Sequence, residues 1–258
     1  MITPHYELAV AVIATRNYVG YASALADSIS RQFEEPQDVK ICIFTDSPLS
    51  FETSHLKAAI EVVRIPSYGW PEATLLRYKI ISDFAEMFSS KLSMYVDADA
   101  IISARLRFKD LVEQLNETEL GRTGMCLVRH PGYADRNWAI SALLRSPLGP
   151  WEHRRSSLAY VPFRERKTYV CGGVYWGCTE NFLEMCSLLA DWTARDLKQG
   201  ITARFHDESY LNKWSTLNSH TVVGPEWAHA AQLRHLRHVR PRISVLVKPP
   251  DFVRESTK

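Results

Sequence analysis

The sequence predicts an α/β fold: a mostly parallel central sheet with helices on its faces. Three observations predict it. Short continuous apolar runs recur over the first hundred residues, at 8–15 (LAVAVIAT), 39–45 (VKICIFT), 61–65 and 91–96. Such runs suit strands buried on both sides, as parallel sheets require. Segments with apolar residues at helical spacing stand between them, and strand, helix, strand is the order of a crossover unit. Finally, 258 residues with 46% hydrophobic and 23% charged side chains can bury one large core, which favours a single domain.

Each element has a local reason. After the first run, Val19, Ala22, Leu25, Ala26 and Ile29 share one side of a helix over 19–33. The second run ends at the turn Asp46-Ser-Pro48, and the third stops at Pro66. Pro71 suits the first turn of a helix reaching about residue 88, with Leu75, Leu76, Ile80, Ile81 and Phe84 inward. The fourth strand delivers Asp97 and Asp99. Beyond it the pattern loosens. Strands are expected over 125–129 and 168–176, a long amphipathic helix over 181–198 stopped by Gly200, and a shorter helix over 207–217. A last apolar run covers 243–247.

Composition narrows the function. A net charge of +2 points to no partner in bulk, so nucleic acid is not expected. Five cysteines without a CxxC pair argue against a disulfide framework and a zinc site, and fit a reducing compartment. The N-terminus lacks a positive region and its apolar run is too short to span a bilayer, so the expectation is a cytoplasmic protein without signal or anchor. No GxGxxG or GxxxxGK occurs, which weakens dinucleotide and P-loop readings.

Open parallel sheets bind ligands at the carboxyl ends of strands where strand order reverses. Asp97 and Asp99 lie at such an end, as does the turn Ala14-Thr-Arg-Asn-Tyr18. Side chains at i and i+2 of an extended segment point the same way, and paired hard oxygens suit Mg²⁺ or Mn²⁺ beside a diphosphate. Alone, Asp-x-Asp is ordinary loop chemistry. A second polar cluster, His206-Asp-Glu-Ser-Tyr-Leu-Asn212, has no evident structural need.

Eight pieces in order carry a resemblance: Trp70-Pro-Glu-Ala-Thr-Leu-Leu-Arg77 with Ile81-Ser-Asp-Phe84; Val96-Asp-Ala-Asp99; His130-Pro-Gly-Tyr133; Arg154-Arg155 with Ala159-Tyr-Val-Pro162; Cys171-Gly-Gly173 with Gly177; His206-Asp-Glu-Ser with Leu211-Asn-Lys213; Pro225-Glu-Trp227; and Lys248 with Arg254. Over most of its length the chain resembles glycosyltransferase family 6, which includes the ABO blood-group transferases and the alpha-1,3-galactosyltransferases. The resemblance implies a GT-A fold, a Rossmann-like central sheet with a smaller mixed acceptor-side region, in one domain whose nucleotide-binding half covers about 1–100 and whose acceptor-binding and catalytic half, with a mobile C-terminal tail, covers about 101–258. It implies alpha-1,3 transfer of N-acetylgalactosamine or galactose from UDP to a galactoside hydroxyl of a glycan, with retention of configuration.

Residue by residue, the resemblance makes Asp97 and Asp99 ligands of Mn²⁺, with Mg²⁺ or Co²⁺ as substitutes. Glu208 becomes the catalytic carboxylate, which also meets the acceptor. Ala14, Thr15 and Tyr18 fall in the uridine pocket, and Arg77, Ala98 and Asp207 on the donor. Cys171, Gly172 and Gly173 occupy the tripeptide that sorts donors, where glycine at the third position leaves room for an acetamido group and so favours N-acetylgalactosamine. His130 and Phe205 match acceptor positions, although Ala230 departs from the acidic residue of the mammalian enzymes. Lys248 and Arg254 match tail cations that close over the diphosphate; His206 stays unassigned. The basic stretch of Arg234, Arg237, Arg240 and Arg242 has no family role; its simplest reading is a solvated face, and the alternative is weak contact with a membrane surface or polyanionic glycan. Two rivals remain at this point. One is a metal-dependent nucleotidyltransferase; the other is a non-enzymatic glycan- or anion-binding module.

Overall fold

The computed structural model describes residues 5–51, 53–115, 124–133, 149–249 and 252. Its strands, in chain order, are β1 (Tyr6–Ile13), β2 (Val39–Thr45), β3 (Ala59–Arg64), β4 (Ser90–Val96), β5 (Ala100–Ile102), β6 (Met125–Arg129), β7 (Val170–Cys178), β8 (Thr221–Val223), β9 (His229–Ala230) and β10 (Ile243–Val245). The described α-helices are α1 (Val19–Gln32), α2 (Glu72–Leu75), α3 (Arg77–Asp83), α4 (Phe108–Glu113), α5 (Thr179–Lys198) and α6 (His206–Leu217). A seven-stranded sheet runs β3-β2-β1-β4-β7-β6-β8, and a three-stranded sheet runs β5-β10-β9.

The mostly parallel sheet flanked by helices is as the sequence predicts. Alternate residues of β1 serve opposite faces. Leu8, Val10 and Val12 join Leu25 and Ile29 of α1 in one core cluster. Ala9, Ala11 and Ile13 join Tyr78 and Ile81 of α3, Phe182 and Leu189 of α5, and Leu211 of α6 in the other. Burial on both faces accounts for the continuous apolar runs.

Strands β1 to β4 are parallel, and the order reverses between β1 and β4. Strand β7 then runs antiparallel to β4, pairing Val96 with Val174. That direction brings the start of β7 against the end of β4, and the Asp97 N–H donates to the Gly173 carbonyl at 2.8 Å. Two segments more than seventy residues apart therefore meet at the carboxyl edge of the parallel strands.

Two expectations need correction. The helix expected from Pro71 to about 88 is broken: α2 ends before Leu76, whose φ of −93° and ψ of 1° leave the α region, and α3 restarts at Arg77. The break turns Arg77 inward, where it is 4% exposed. The last apolar run forms a strand only to Val245, and Leu246 adds one further rung by donating its N–H to the Asp99 carbonyl at 2.7 Å.

Gly177 illustrates close packing rather than backbone freedom. A Cβ there would collide with the Gly124 carbonyl oxygen and the Met125 sulfur. Gly177→Ala is expected to destabilise the fold by about 1–3 kcal/mol, the usual cost of overpacking, measured by urea unfolding; an unchanged midpoint would refute the contact.

Candidate active site

A cleft opens where strand order reverses, lined among others by Thr15, Arg16, Asn17 and Tyr18 after β1 and by Asp97, Ala98 and Asp99 after β4. Tyr68, Trp70, Thr74, Arg77, Tyr95 and Lys248 complete its wall. Thr15 is pinned by its hydroxyl, which donates to the Tyr68 carbonyl at 2.6 Å. Arg16 has a φ of 55°, a left-handed conformation that costs an L-residue about 1–2 kcal/mol, and its N–H is held by Asp46 Oδ1 at 3.1 Å. Ala14 is fully buried, and its N–H donates to the Phe44 carbonyl at 2.9 Å.

Arg77 is the hub. Its guanidinium reaches Asp97 Oδ1 at 3.0 Å and Asp207 Oδ2 at 2.9 Å, and donates to the Gly172 carbonyl. It also lies 4.2 Å from the centre of the Tyr95 ring, whose hydroxyl donates to the same Asp97 oxygen at 2.9 Å. One planar cation thus ties the ends of β4, β7 and α6 together. Among the described residues its buried Nε finds no partner.

Helix α6 begins beside this hub. His206 has a φ of 48°, stacks edge-on against Trp70 at 5.1 Å, and starts the turn that carries Asp207 and Glu208. Tyr78 donates its hydroxyl to the Asp207 carbonyl at 3.2 Å, and Asn212 Nδ2 bridges the carbonyls of Glu208 and Val170 at 2.9 and 2.8 Å. The Glu208 carboxylate accepts the Gly172 N–H at 2.9 Å. Tyr169 faces it as well, without a well-aligned hydrogen bond. A Cβ on Gly172 would come within 2.7 Å of Asp207 Oδ2, so only glycine lets β7 pass this close to α6.

Four carboxylates (Asp97, Asp99, Asp207, Glu208) gather around two cations, Arg77 and Lys248. Burial pushes Glu208 up from 4.5 to about 7, against the pull of the Gly172 amide, Tyr169 and Arg77. Burial likewise pushes Asp207 up to about 7, while it holds Arg77 well above its usual range. Those two directions conflict for one ion pair. We favour the ionised pair, because the guanidinium contacts Asp207 directly and has no lower-energy neutral form available. Asp99, 6% exposed, is raised by burial and then by Asp97, and lowered by Lys248, whose ammonium pairs with its Oδ2. Lys248 also sits 5.2 Å from the Tyr18 ring centre and 5.7 Å from that of Phe252.

His130 lies with Nε2 at 4.0 Å from Glu208 Oε1. Burial pushes it down to about 4, so this is no ion pair at neutral pH. Its Nδ1 accepts the Gly132 N–H at 3.0 Å, so the neutral ring carries its hydrogen on Nε2, toward Glu208. Phe205 is 39% exposed just before α6. Cys171 is 6% exposed and packs in the core cluster with Val174 and Trp176. Gly173 faces Asp97, whose Oδ2 a Cβ would approach to 2.7 Å. Arg254 lies outside the described residues.

The glycosyltransferase family 6 profile matches residues 3–255. The chain belongs to glycosyltransferase family 6. It is 27% identical to the O-antigen biosynthesis glycosyltransferase WbnI of Escherichia coli, over 80% of either chain. It is 26% identical to the histo-blood group ABO system transferase 2 of Rattus norvegicus, over 88% of this chain and 64% of that one. The globoside alpha-1,3-N-acetylgalactosaminyltransferase 1 of Gallus gallus is 26% identical over 85% of this chain and 61% of its own. The chain thus spans under two thirds of these two animal relatives. Among the described residues no helix is long and apolar enough to cross a membrane.

Sequence reading assigned no site role to Tyr95, Tyr169, Tyr68 or Thr74. Tyr95 stands two residues before Asp97, on the same side of the strand, and that spacing could have found it. For Tyr169 the sequence holds no signal.

The Glu208 carboxyl binds its proton more tightly in the fold than in the unfolded chain. Between pH 4.5 and about 7 the native state therefore holds more protons, and stability falls as pH rises through that window. Glu208→Gln is expected to stabilise the protein at pH 8 by on the order of 2 kcal/mol and barely at pH 4. Equal gains at both pH values in thermal unfolding would refute the raised carboxyl.

Proposed function

We propose that the protein is a retaining transferase that moves N-acetylgalactosamine or galactose from its UDP conjugate to a galactoside hydroxyl in alpha-1,3 linkage. Glycosyl transfer itself follows from family membership. The observation that carries the finer reading is the hub at Arg77, which joins the Asp-x-Asp segment to the Asp207–Glu208 turn in one cleft. The nucleotidyltransferase and binding-module readings give Glu208 no task. The named activity of the chicken relative, alpha-1,3-N-acetylgalactosaminyl transfer to globoside, supports both the linkage and the sugar.

Asp97 and Asp99 suit a divalent cation. Among the described residues no third His, Cys, Asp or Glu completes a cage, so the remaining ligands would be water and donor oxygens, as Mn²⁺ and Mg²⁺ accept. Asp99 is raised by burial first and by the neighbouring Asp97 second, and the Lys248 ammonium pairs with it, so the acidic pair favours positive charge close by. When bound, such a cation neutralises the diphosphate as the glycosidic bond breaks.

The protein's own residues do the rest. The turn at 15–18 and Tyr68 hold the nucleoside end of the donor in the cleft. Asp207, fixed by Arg77, meets donor-sugar hydroxyls. Glu208, fixed by the Gly172 amide, faces the anomeric carbon, where it shields the cationic sugar or bonds to it. The C1–O bond to UDP breaks, the acceptor oxygen bonds C1 from the same side, and the acceptor proton leaves with the departing phosphate. His130 and Phe205 line the acceptor's approach, the latter offering a ring for a sugar face. Lys248 supplies a further charge at the diphosphate and helps exclude water.

Glu208→Gln is expected to bind UDP normally in calorimetry yet lose roughly a thousandfold in kcat for transfer from UDP-N-acetylgalactosamine; near-native turnover would remove Glu208 from the mechanism. Asp97→Asn with Asp99→Asn should abolish stimulation by Mn²⁺. An unchanged response to EDTA and added Mn²⁺ would place the cation elsewhere.

A further inference from the structure

From Trp227 to residue 250 the chain holds four arginines and one lysine, and no carboxylate. The whole molecule carries only +2, so this is a local feature. Three of the five cations have a side-chain partner: Lys248 pairs with Asp99, Arg242 lies 5.0 Å from the Trp227 ring centre, and Arg237 Nε donates to the neighbouring His238 Nε2 at 2.9 Å. Arg234, Arg237 and Arg240 are exposed. Among the described residues none of the three makes an ion pair.

The segment that carries them is ordered. Leu236 is 2% exposed and anchors a 3-10 turn over Arg234–Leu236. Its carbonyl accepts from Val239 N–H at 2.8 Å and lies 3.1 Å from His229 Nε2, while Arg242 donates its N–H to the Glu226 carbonyl at 2.7 Å. Loose solvated arginines need no such frame. His235 Nε2 lies 2.9 Å from the Pro131 carbonyl, and Pro131 follows His130, the residue 4.0 Å from Glu208. The basic face therefore borders the acceptor side of the cleft.

We propose that Arg234, Arg237 and Arg240 form a docking face for an anionic phospholipid surface. Three exposed cations on and just after an apolar-anchored turn match a plane of negative headgroups, which needs no enclosing pocket. Docking there would set the cleft's acceptor side at the lipid boundary. The proposal stands apart from the transferase reading, because binding to lipid needs neither donor nor turnover.

Co-sedimentation with vesicles tests it. The native protein should pellet with phosphatidylcholine vesicles containing phosphatidylglycerol, stay in solution with phosphatidylcholine alone, and be released by high salt. Each arginine changed to alanine should weaken binding about fivefold, and the triple change by on the order of a hundredfold. Changing all three to lysine should preserve binding, and UDP release from the donor should match the native protein in both triple variants. Failure of the native protein to bind anionic vesicles overturns the proposal whatever the variants do. Retention on heparin without vesicle binding also overturns it, in favour of a polyanionic glycan.

Discussion

The site depends on one buried guanidinium. Arg77 holds Asp97 just after β4, Asp207 from α6 and the Gly172 carbonyl from β7, so one side chain reaches three elements at once. Burying a charge without partners costs several kcal/mol, so each partner is required by the others. The geometry is correspondingly over-determined: Tyr95 caps the face of the guanidinium and shares its Asp97 oxygen, and Tyr78 and Asn212 fix the turn that bears Asp207 and Glu208. The fold supports this at some expense. Glu208 is held where burial opposes its charge, and His206 adopts a left-handed backbone.

Much of the architecture was legible because parallel sheets write themselves as unbroken apolar runs. The strands at 39–45 and 125–129 match residue for residue, and Asp97 lies at a strand's carboxyl end as expected. The long helix after β7 also has its expected end at Lys198. What failed to show was governed by distant contacts. No proline or glycine marks the break at Leu76, which immediately precedes the buried Arg77 and its carboxylate partners from two other segments. Direction is likewise absent from an apolar run, so the antiparallel course of β7 was invisible, though it decides which residues meet. Strands of two or three residues, such as β5 and β9, are too short to carry a periodicity.

The site was legible in part. Asp97, Asp99, Glu208 and Gly172 stood out because they sit in the motifs that carry the family resemblance, whereas Asp-x-Asp alone is ordinary loop chemistry. Tyrosines and threonines serve cores and surfaces everywhere, so Tyr95, Tyr169 and Thr74 did not. Cys171 shows the limit of reading motifs as units. It shares a tripeptide with Gly172 and Gly173, which lie against Asp207 and Asp97, yet Cys171 itself packs in a core cluster with Val174 and Trp176.

Gly173 has a wider implication. Its missing side chain points at Asp97 rather than into open space, so any larger residue there would displace a carboxylate that Arg77 and Tyr95 already constrain. A lineage could not enlarge this position independently. Whatever such a change did to ligand choice, it would be inherited together with a readjusted acidic end of β4, making the two traits drift as one.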